Sequence, residues 1–312
     1  MERFRFVLTR PLQLIPVLFG VSTISFILVR SIPGDPVRLL LGARATPEVA
    51  AKIRAQYGLD EPLPTQYLLF LKNLFAGDFG RSIVYKAPVL EVVAERIAPT
   101  VWLLAYALLL SVTVAFVLGA LAARFQGRLP DVLVRVYSTA GLGLPTFWLG
   151  IILIMVFSVR LGWFPTSGYG DDALERIHYL FLPAASIALA LSPVLIRNLR
   201  ASLIAEMEAD YATAARARGM SETGVFLRHV FPNALVPTIT LIGVNFAWLI
   251  GGTVVVEQVF SVPGLGQLMI ASIFSRDYLV VQLITLVFAV GVIATNFIVD
   301  VVTAAIDPRV TL

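Results

Sequence analysis

Long uncharged apolar runs recur along the chain, and shorter polar segments separate them. Each run has about twenty residues, the length at which one α-helix crosses the hydrocarbon core of a bilayer. The pattern therefore predicts an all-α integral membrane protein with six transmembrane helices. The predicted spans are residues 11–29, 100–123, 136–159, 179–196, 234–256 and 279–299.

Residues 31–98 differ from the runs around them, because they hold acids, bases, Gly and Pro at the frequencies of a soluble protein. Thr46-Pro47-Glu48 is typical of a helix start, with Pro at the first helical position. A second, amphipathic helix is predicted over residues 61–76. We therefore divide the chain into a tail and first span (1–30), a small extracytoplasmic domain (31–98) and a five-helix core (99–312).

The most polar long segment in the second half of the chain is residues 206–232, which we call the knuckle. Asp210 and Tyr211 open a run rich in Ala and Arg, which are strong helix formers. Gly219 ends that run as a helix C-terminal residue does, and Ser221 with Glu222 starts a second short helix. A folded polar segment is more than a connector needs, so we predict a docking element for a soluble partner.

Basic residues are concentrated on one predicted side of the membrane. The chain is 58% hydrophobic, only 14% charged and carries a net charge of +4. The N-terminus, residues 124–135, the knuckle and the C-terminus are together rich in Arg, whereas the short loops between them are balanced or acidic. The positive-inside rule therefore predicts cytoplasmic termini and a cytoplasmic knuckle. This anchoring explains the basic charge without nucleic acid, for which no basic and aromatic module is visible.

Several kinds of catalytic and energy-coupling site are missing from the sequence. It contains no G-x-x-x-x-G-K-[ST] phosphate loop and no cysteine. His178 and His229 fall on opposite predicted sides of the membrane, so they cannot share a metal ion. The cores of the predicted spans hold no Asp, Glu, Lys or Arg, whereas ion-driven carriers usually keep such a group. These absences indicate neither an enzyme nor a secondary transporter, but a pathway whose energy comes from elsewhere.

The knuckle also carries a spaced motif. It reads Thr213-Ala214-Ala215, three residues, Gly219, nine residues, and then His229-Val230-Phe231-Pro232. This resembles the cytoplasmic coupling loop of ABC importer permeases, whose pattern is Glu-Ala-Ala, three residues, Gly, nine residues, Ile-x-Leu-Pro. The Ala pair, the Gly and the Pro match at the right spacing, whereas Thr213, His229 and Phe231 depart from the pattern.

Further motifs occur in order over nearly the whole chain. They are Pro33-Gly34-Asp35-Pro36, Gly58-Leu59-Asp60, Gly77-Asp78-Phe79-Gly80, Asp210-Tyr211, Asn233-Ala234, Glu257, Pro263-Gly264-Leu265-Gly266 and Asp307-Pro308-Arg309. With them the chain resembles the dipeptide, oligopeptide and nickel branch of the binding-protein-dependent permeases, in which the three departures are ordinary.

The resemblance implies the type I ABC importer permease fold and a set of partners. These are a second, homologous permease subunit in a heterodimer, two ABC ATPase subunits and an extracytoplasmic binding protein, in the inner membrane of a bacterium or archaeon. ATP and Mg²⁺ would be held by the ATPase subunits, while this chain would hold no cofactor or metal. The residues that the resemblance implies for ATPase coupling are Asp210, Tyr211, Thr213, Ala214, Ala215, Arg216, Arg218, Gly219, His229 and Pro232.

The substrate is not specified by these motifs, and no residue is assigned to substrate binding. The resemblance implies di- or oligopeptides, with glutathione, nickel complexes or oligosaccharides as alternatives for the same machinery. An alternative from another class is a membrane receptor or scaffold, with residues 31–98 as the sensor and the knuckle as the effector contact.

Pro and Gly residues inside two predicted spans leave structural alternatives open. Pro183 and Pro193 either kink the fourth span or free carbonyl groups that line the pathway. Gly141, Gly143 and Pro145 permit either close helix packing or a broken third span.

The stretch before the last span is also open to two interpretations. Its apolar run, residues 268–274, is too short to cross the membrane, so residues 257–278 form an outer loop or a re-entrant piece. Glu257 and Asp300 lie at predicted span ends, where they are placed at the interface or facing the pathway.

Overall fold

A computed structural model of the chain describes residues 16–27, 46–56 and 60–306. Within those ranges the regular structure is helical, and extended pairing is confined to one isolated bridge between Arg81 and Pro88. The helices are α1 Pro16–Ile27, α2 Pro47–Gln56, α3 Leu63–Ala76, α4 Val89–Arg124, α5 Leu129–Gly141, α6 Thr146–Leu153, α7 Ala173–Glu208, α8 Asp210–Ala217, α9 Glu222–Val225, α10 Phe231–Val259, α11 Leu265–Phe274 and α12 Tyr278–Ile306. Two π-helical segments, Ile154–Arg160 and Phe226–Val230, follow α6 and α9.

Helix α7 lies at the centre of the fold. Its contact with α4 is the most extensive in the described part of the chain, and it also packs on α5, α6 and α10. Of its most apolar 18 residues 61% are buried, against 22–28% in the other three long apolar helices. Small residues let the helices approach closely: a Cβ placed on Gly119 of α4 would lie 3.1 Å from Leu199 of α7.

The described residues contain four helices that are long and apolar enough to cross a membrane, or five if α5 and α6 form one crossing. These elements correspond to the predicted second to sixth spans. Helix α1 covers part of the predicted first span, and the rest of that span lies outside the described residues. The all-α fold is therefore confirmed, while the count of six spans and the extracytoplasmic domain stay predictions.

The predicted third span is a broken helix, which was one of the two alternatives that its Gly and Pro residues left open. Helix α5 ends at Gly141, α6 begins at Thr146, and the two axes are bent by 109°. Helix α5 also begins at Leu129, inside the segment that the sequence had indicated as a loop. A chain segment of this kind is tolerated at membrane depth where protein surrounds it or water reaches it.

The predicted fourth span is longer than expected, because α7 runs unbroken through both of its prolines. Pro193 has no N–H and so leaves the Leu189 carbonyl without its helical donor. The Tyr137 hydroxyl of α5 donates to this carbonyl at 3.4 Å and pairs with Ser192 Oγ at 2.8 Å. Gly141 lies against the Pro193 ring, where a Cβ would be 2.6 Å from Cγ. The freed carbonyl therefore contributes to the contact between α5 and α7.

Glu257 is fully buried, so its side chain faces neither lipid nor an open pathway in this chain. Its carboxylate accepts hydrogen bonds from the Thr100 hydroxyl at 2.6 Å and from the Gly266 and Gln267 N–H groups at 2.7 and 3.1 Å. Both N–H groups belong to the first turn of α11, where a negative charge is stabilised by the helix dipole. The Pro263-Gly264-Leu265-Gly266 motif thus folds over a buried carboxylate that joins α4, α10 and α11.

Helix α11 is the short piece expected before the last span, and a second buried carboxylate follows it. Asp277 accepts hydrogen bonds from the Ser82 hydroxyl and from the Val84 N–H, the latter at 3.4 Å. Burial raises the pKa of the Asp277 carboxyl. These bonds fix the segment before α4 to the start of α12.

We expect Gly266→Ala to lower the free energy of unfolding in detergent by about 1–3 kcal/mol, because the added methyl group overpacks the site. A Cβ on Gly266 would lie 2.5 Å from Val254 Cα and 3.0 Å from the Glu257 carboxylate. Gly251→Ala is the matched control, since no atom lies within 4 Å of its Cβ position. Titration with SDS, followed by tryptophan fluorescence, measures both variants, and equal stability would contradict the assigned role of Gly266.

Candidate functional site

The first arm of the knuckle is a short helix that ends as its sequence predicts. Helix α8 is followed by Gly219, whose φ is +82°. The Gly219 N–H donates to the Arg216 carbonyl at 2.9 Å, and the Met220 N–H donates to the Ala215 carbonyl at 3.3 Å. This pair of bonds is the Schellman motif, which needs a left-handed residue where glycine stands.

The second arm of the knuckle runs directly into a membrane helix. Ser221 Oγ accepts a hydrogen bond from the Gly224 N–H at 3.2 Å and so caps α9, as predicted. Helix α9 and the π-helical segment Phe226–Val230 then continue into α10. Pro232 lies in the first turn of α10, and the helical arm runs through it into the span. A displacement of this arm is therefore a displacement of α10.

One side of the knuckle is buried against three membrane helices. Ala212 and Ala215 of α8 are 0% and 6% exposed, and their small side chains let α8 lie close to α7. The same apolar cluster includes the C-terminal end of α4 and the start of α10. Its buried members are Ala123, Leu199, Leu203, Ala212, Ala215, Val225, Val230 and Ala234. The knuckle is thus packed firmly on the helices that it connects.

The opposite side of the knuckle is exposed. Of the residues implied for coupling, the exposed ones are Asp210, Tyr211, Thr213, Ala214, Arg218, Gly219 and Pro232. Ala215 is buried, and Arg216 and His229 are half-buried. Leu227 adds an apolar side chain that is 60% exposed. A partner can therefore reach most of the implied residues, but not Ala215.

Arg216 holds the two arms of the knuckle together. Its Nε donates to Glu222 Oε1 at 3.1 Å, and its Nη1 donates to the Met207 carbonyl at 3.0 Å. Among the residues that the structure describes, the exposed Arg218 and Arg228 make no ion pair. The cations that remain for a partner on this surface are therefore Arg218 and Arg228.

The junction between α7 and α8 is closed by a phenol and a carboxylate. The Tyr211 hydroxyl donates to Glu206. Partial desolvation, and after it the Glu206 carboxylate, raises the pKa of Tyr211, so the phenol stays neutral and remains a donor.

Metal chemistry has no support in the ranges that the structure describes, where no group of three or more His, Cys, Asp or Glu is placed to hold an ion. His178 lies near the start of α7, where its Nε2 is 2.9 Å from the Trp163 carbonyl oxygen and its ring packs edge-on against Phe164. His229 lies in the knuckle, beyond the other end of α7. The two histidines therefore lie beyond opposite ends of most of α7, while their placement on opposite sides of the membrane stays a prediction.

Three buried polar links were not predicted from the sequence. Two are the Glu257 and Asp277 sites described above, and the third joins Asp131 of α5 to Arg200 of α7. They span 157 residues from Thr100 to Glu257, 195 residues from Ser82 to Asp277 and 69 residues from Asp131 to Arg200, so none forms a local motif. The one available signal was that Asp131 is the single acid in the arginine-rich segment 124–135.

Two family profiles match the chain. Residues 115–312 match the family described as "Binding-protein-dependent transport system inner membrane component". Residues 3–105 match the N-terminal part of the membrane component of the same transport systems.

The chain is also similar over its whole length to curated proteins. It is 42% identical over 305 residues to the glutathione transport system permease protein GsiC of Escherichia coli (strain K12), with 98% of both chains covered. The protein of the same name from Shigella dysenteriae serotype 1 matches to the same extent.

Two solved structures share the fold. A chain of the inward-facing MetNI methionine ABC transporter superposes with a TM-score of 0.54 at 16% identity, covering 70% of this chain and 98% of that one. A chain of an amino acid ABC transporter with histidines gives a TM-score of 0.53 at 15% identity, covering 69% and 94%. The type I importer permease architecture expected from the sequence is thereby confirmed.

We expect Gly219→Ala to loosen the knuckle, because a left-handed conformation costs a side-chain-bearing residue about 1–2 kcal/mol. Gly219→Asn is the matched control, since asparagine adopts positive φ more readily than alanine. Amide hydrogen exchange of residues 215–222 in lipid nanodiscs measures the effect. Exchange that is equally slow in both variants and in the unmodified chain would show that the bend does not depend on glycine.

Proposed function

The chain belongs to the family of binding-protein-dependent transport system inner membrane components, and on this premise we propose that it forms half of the pathway of an importer for short peptides. Membership of this family makes it a multi-pass inner-membrane component of an ABC importer, which works with separate ATPase and binding-protein partners. The proposal adds a second, homologous permease as a heterodimeric partner and places both termini in the cytoplasm.

The observation that carries the proposal is the two-sided knuckle. Its buried side is packed on α4, α7 and α10, and its exposed side presents Ala214, Arg218 and their neighbours. We assign the exposed side to a groove on an ATPase subunit. Asp210, Tyr211, Thr213, Ala214, Arg218, Gly219, His229 and Pro232 supply contacts in this assignment. Ala215 and Arg216 keep the shape of the knuckle, through burial and through the bond to Glu222.

This chain's part in the mechanism is mechanical. ATP and Mg²⁺ bind to the ATPase subunits, and closure of those subunits displaces the knuckle. Because the knuckle packs on α7 and continues into α10, both helices move with it as a rigid body. The pathway then opens alternately to the two sides, and no ionisable group in the membrane is needed to drive it.

Short peptides, with glutathione among them, are the proposed substrate class. Two lines of support agree: the sequence resembles the dipeptide and oligopeptide branch, and the 42% identical relatives are named for glutathione transport. Glutathione is itself a tripeptide, so both lines describe one kind of cargo, a small chain with a free amino group and free carboxylates.

We expect Ala214→Trp to abolish uptake while the protein still reaches the membrane, because an indole on the exposed face of α8 blocks close docking. Ala214→Ser is the matched control, since it keeps the small side chain. Uptake by cells and the amount of membrane-inserted protein are measured together. Uptake at the normal rate with tryptophan present would contradict docking through this face.

Reconstitution with the ATPase subunits, the second permease and the binding protein tests the substrate. We expect ATP-dependent accumulation of glutathione or a dipeptide in vesicles, and none of a nickel complex or an oligosaccharide. Accumulation of the nickel complex or the oligosaccharide alone would refute the proposed substrate class. No accumulation of any of them would favour a receptor or scaffold.

A further inference from the structure

The ion pair between Asp131 and Arg200 lies near the knuckle but takes no part in the proposed docking face. Arg200 Nε donates to Asp131 Oδ1 at 2.6 Å, and Nη2 donates to Oδ2 at 2.8 Å. The Asp131 side chain is 1% exposed and that of Arg200 is 21% exposed. Two parallel bonds of this kind fix the mutual orientation of the two groups as well as their distance.

The surroundings of Asp131 are built to keep it charged and in place. The Gly127 N–H donates to Oδ2 at 2.9 Å, from the turn that precedes α5. Arg135 lies one helical turn further on, with its Nε 3.7 Å from Oδ1, and its side chain is 55% exposed. The Asp131 carboxylate therefore makes short hydrogen bonds to the mostly buried Arg200 and a longer ion pair with the exposed Arg135.

Arg200 lies on the part of α7 that also supports the knuckle. Leu199, its neighbour, and Leu203, one turn later, are both 0% exposed and belong to the apolar cluster beneath the knuckle. One short stretch of α7 thus contacts the knuckle through leucines and α5 through the arginine.

Helix α5 also contacts α7 at a second place, near the C-terminal end of α5. There Gly141 lies against Pro193, and Tyr137 hydrogen-bonds Ser192 and the Leu189 carbonyl. Asp131 and Gly141 are separated by about 15 Å of helix at 1.5 Å per residue. A short helix held at both ends moves as a rod, and the 109° break follows directly after it.

We propose that the Asp131–Arg200 pair is a positioning link, through which α5 and the break after Gly141 follow α7 when the knuckle is displaced. The proposal rests on the function proposed above. Apolar side chains of two packed helices can slide past one another, whereas a guanidinium fork on a carboxylate loses both bonds when it slides. The pair therefore keeps α5 and α7 from sliding past one another. When α7 moves, the broken span moves with it.

Arg200→Lys is the informative variant, because it keeps the charge and loses the fork. In proteoliposomes that contain the complete importer, we expect uptake per complex to fall about tenfold while ATP hydrolysis stays near that of the unmodified complex. Asp131→Asn should likewise lower uptake while ATP hydrolysis stays near that of the unmodified complex. Arg135→Gln is the matched control, since it removes the distant partner of the same carboxylate, and it should change neither rate.

Two results of this experiment would overturn the proposal. One is unchanged uptake in Arg200→Lys, and the other is a fall of uptake and ATP hydrolysis in equal proportion, which marks a purely structural role. If the unmodified complex accumulates no substrate, the proposed function fails. The positioning link is then tested by a distance measurement that does not depend on transport.

A distance measurement tests the link without transport. The chain has no cysteine, so spin labels can be attached at Ala217→Cys in the knuckle and Ile151→Cys in α6, both exposed positions. We expect the distance distribution in nanodiscs to broaden in Arg200→Lys and to keep its width in Arg135→Gln. Equal widths in the two variants would show that the pair does not hold the broken span to the knuckle.

Discussion

The contact between α4 and α7 is the interaction on which the rest of the fold depends. A membrane helix normally leaves much of its surface to lipid, yet α7 is surrounded by α4, α5, α6 and α10. In lipid there is little hydrophobic gain from helix association, so close packing of small residues must supply the attraction. Gly119 of α4, which lies against Leu199 of α7, is one such residue, and Ala107 and Ala115 of α4 and Ala184 and Ala188 of α7 are further small residues that are buried.

Because α7 is central, its C-terminal end, which leads into the knuckle, is well placed to transmit a force to the other helices. The chain leaves α7 at Glu208, folds into the knuckle and returns as α10, so both arms of the knuckle end in helices of the core. The knuckle rests on a cluster of buried leucine, valine and alanine side chains. A force on the exposed side is then met by translation of whole helices, since a close-packed interior deforms little.

The parts of this fold that the sequence predicted are those with local signals. Gly219 and Ser221 mark the bend of the knuckle within three residues of each other, and the lengths of the apolar runs mark most of the spans. The sequence did not decide whether the third span breaks after Gly141. The residues on both sides are apolar, and they do not indicate that the helix axis changes direction there. The burial of Glu257 and the partner of Asp131 could not be predicted, since each depends on a residue more than sixty positions away.

The positions of the buried charges explain why the sequence shows none in the cores of the predicted spans. Asp131 and Arg200 lie toward the knuckle end of the bundle, whereas Glu257 and Asp277 lie at the end where α11 packs. Bonds to charged groups thus lie toward the helix ends, whereas nearer the middle the contacts are apolar side chains and neutral hydrogen bonds such as that between Tyr137 and Ser192. An ionised group in the middle would be costly in lipid and would fix the helices where an importer must let them tilt. A pathway that takes its energy from a soluble motor has no need of such a group.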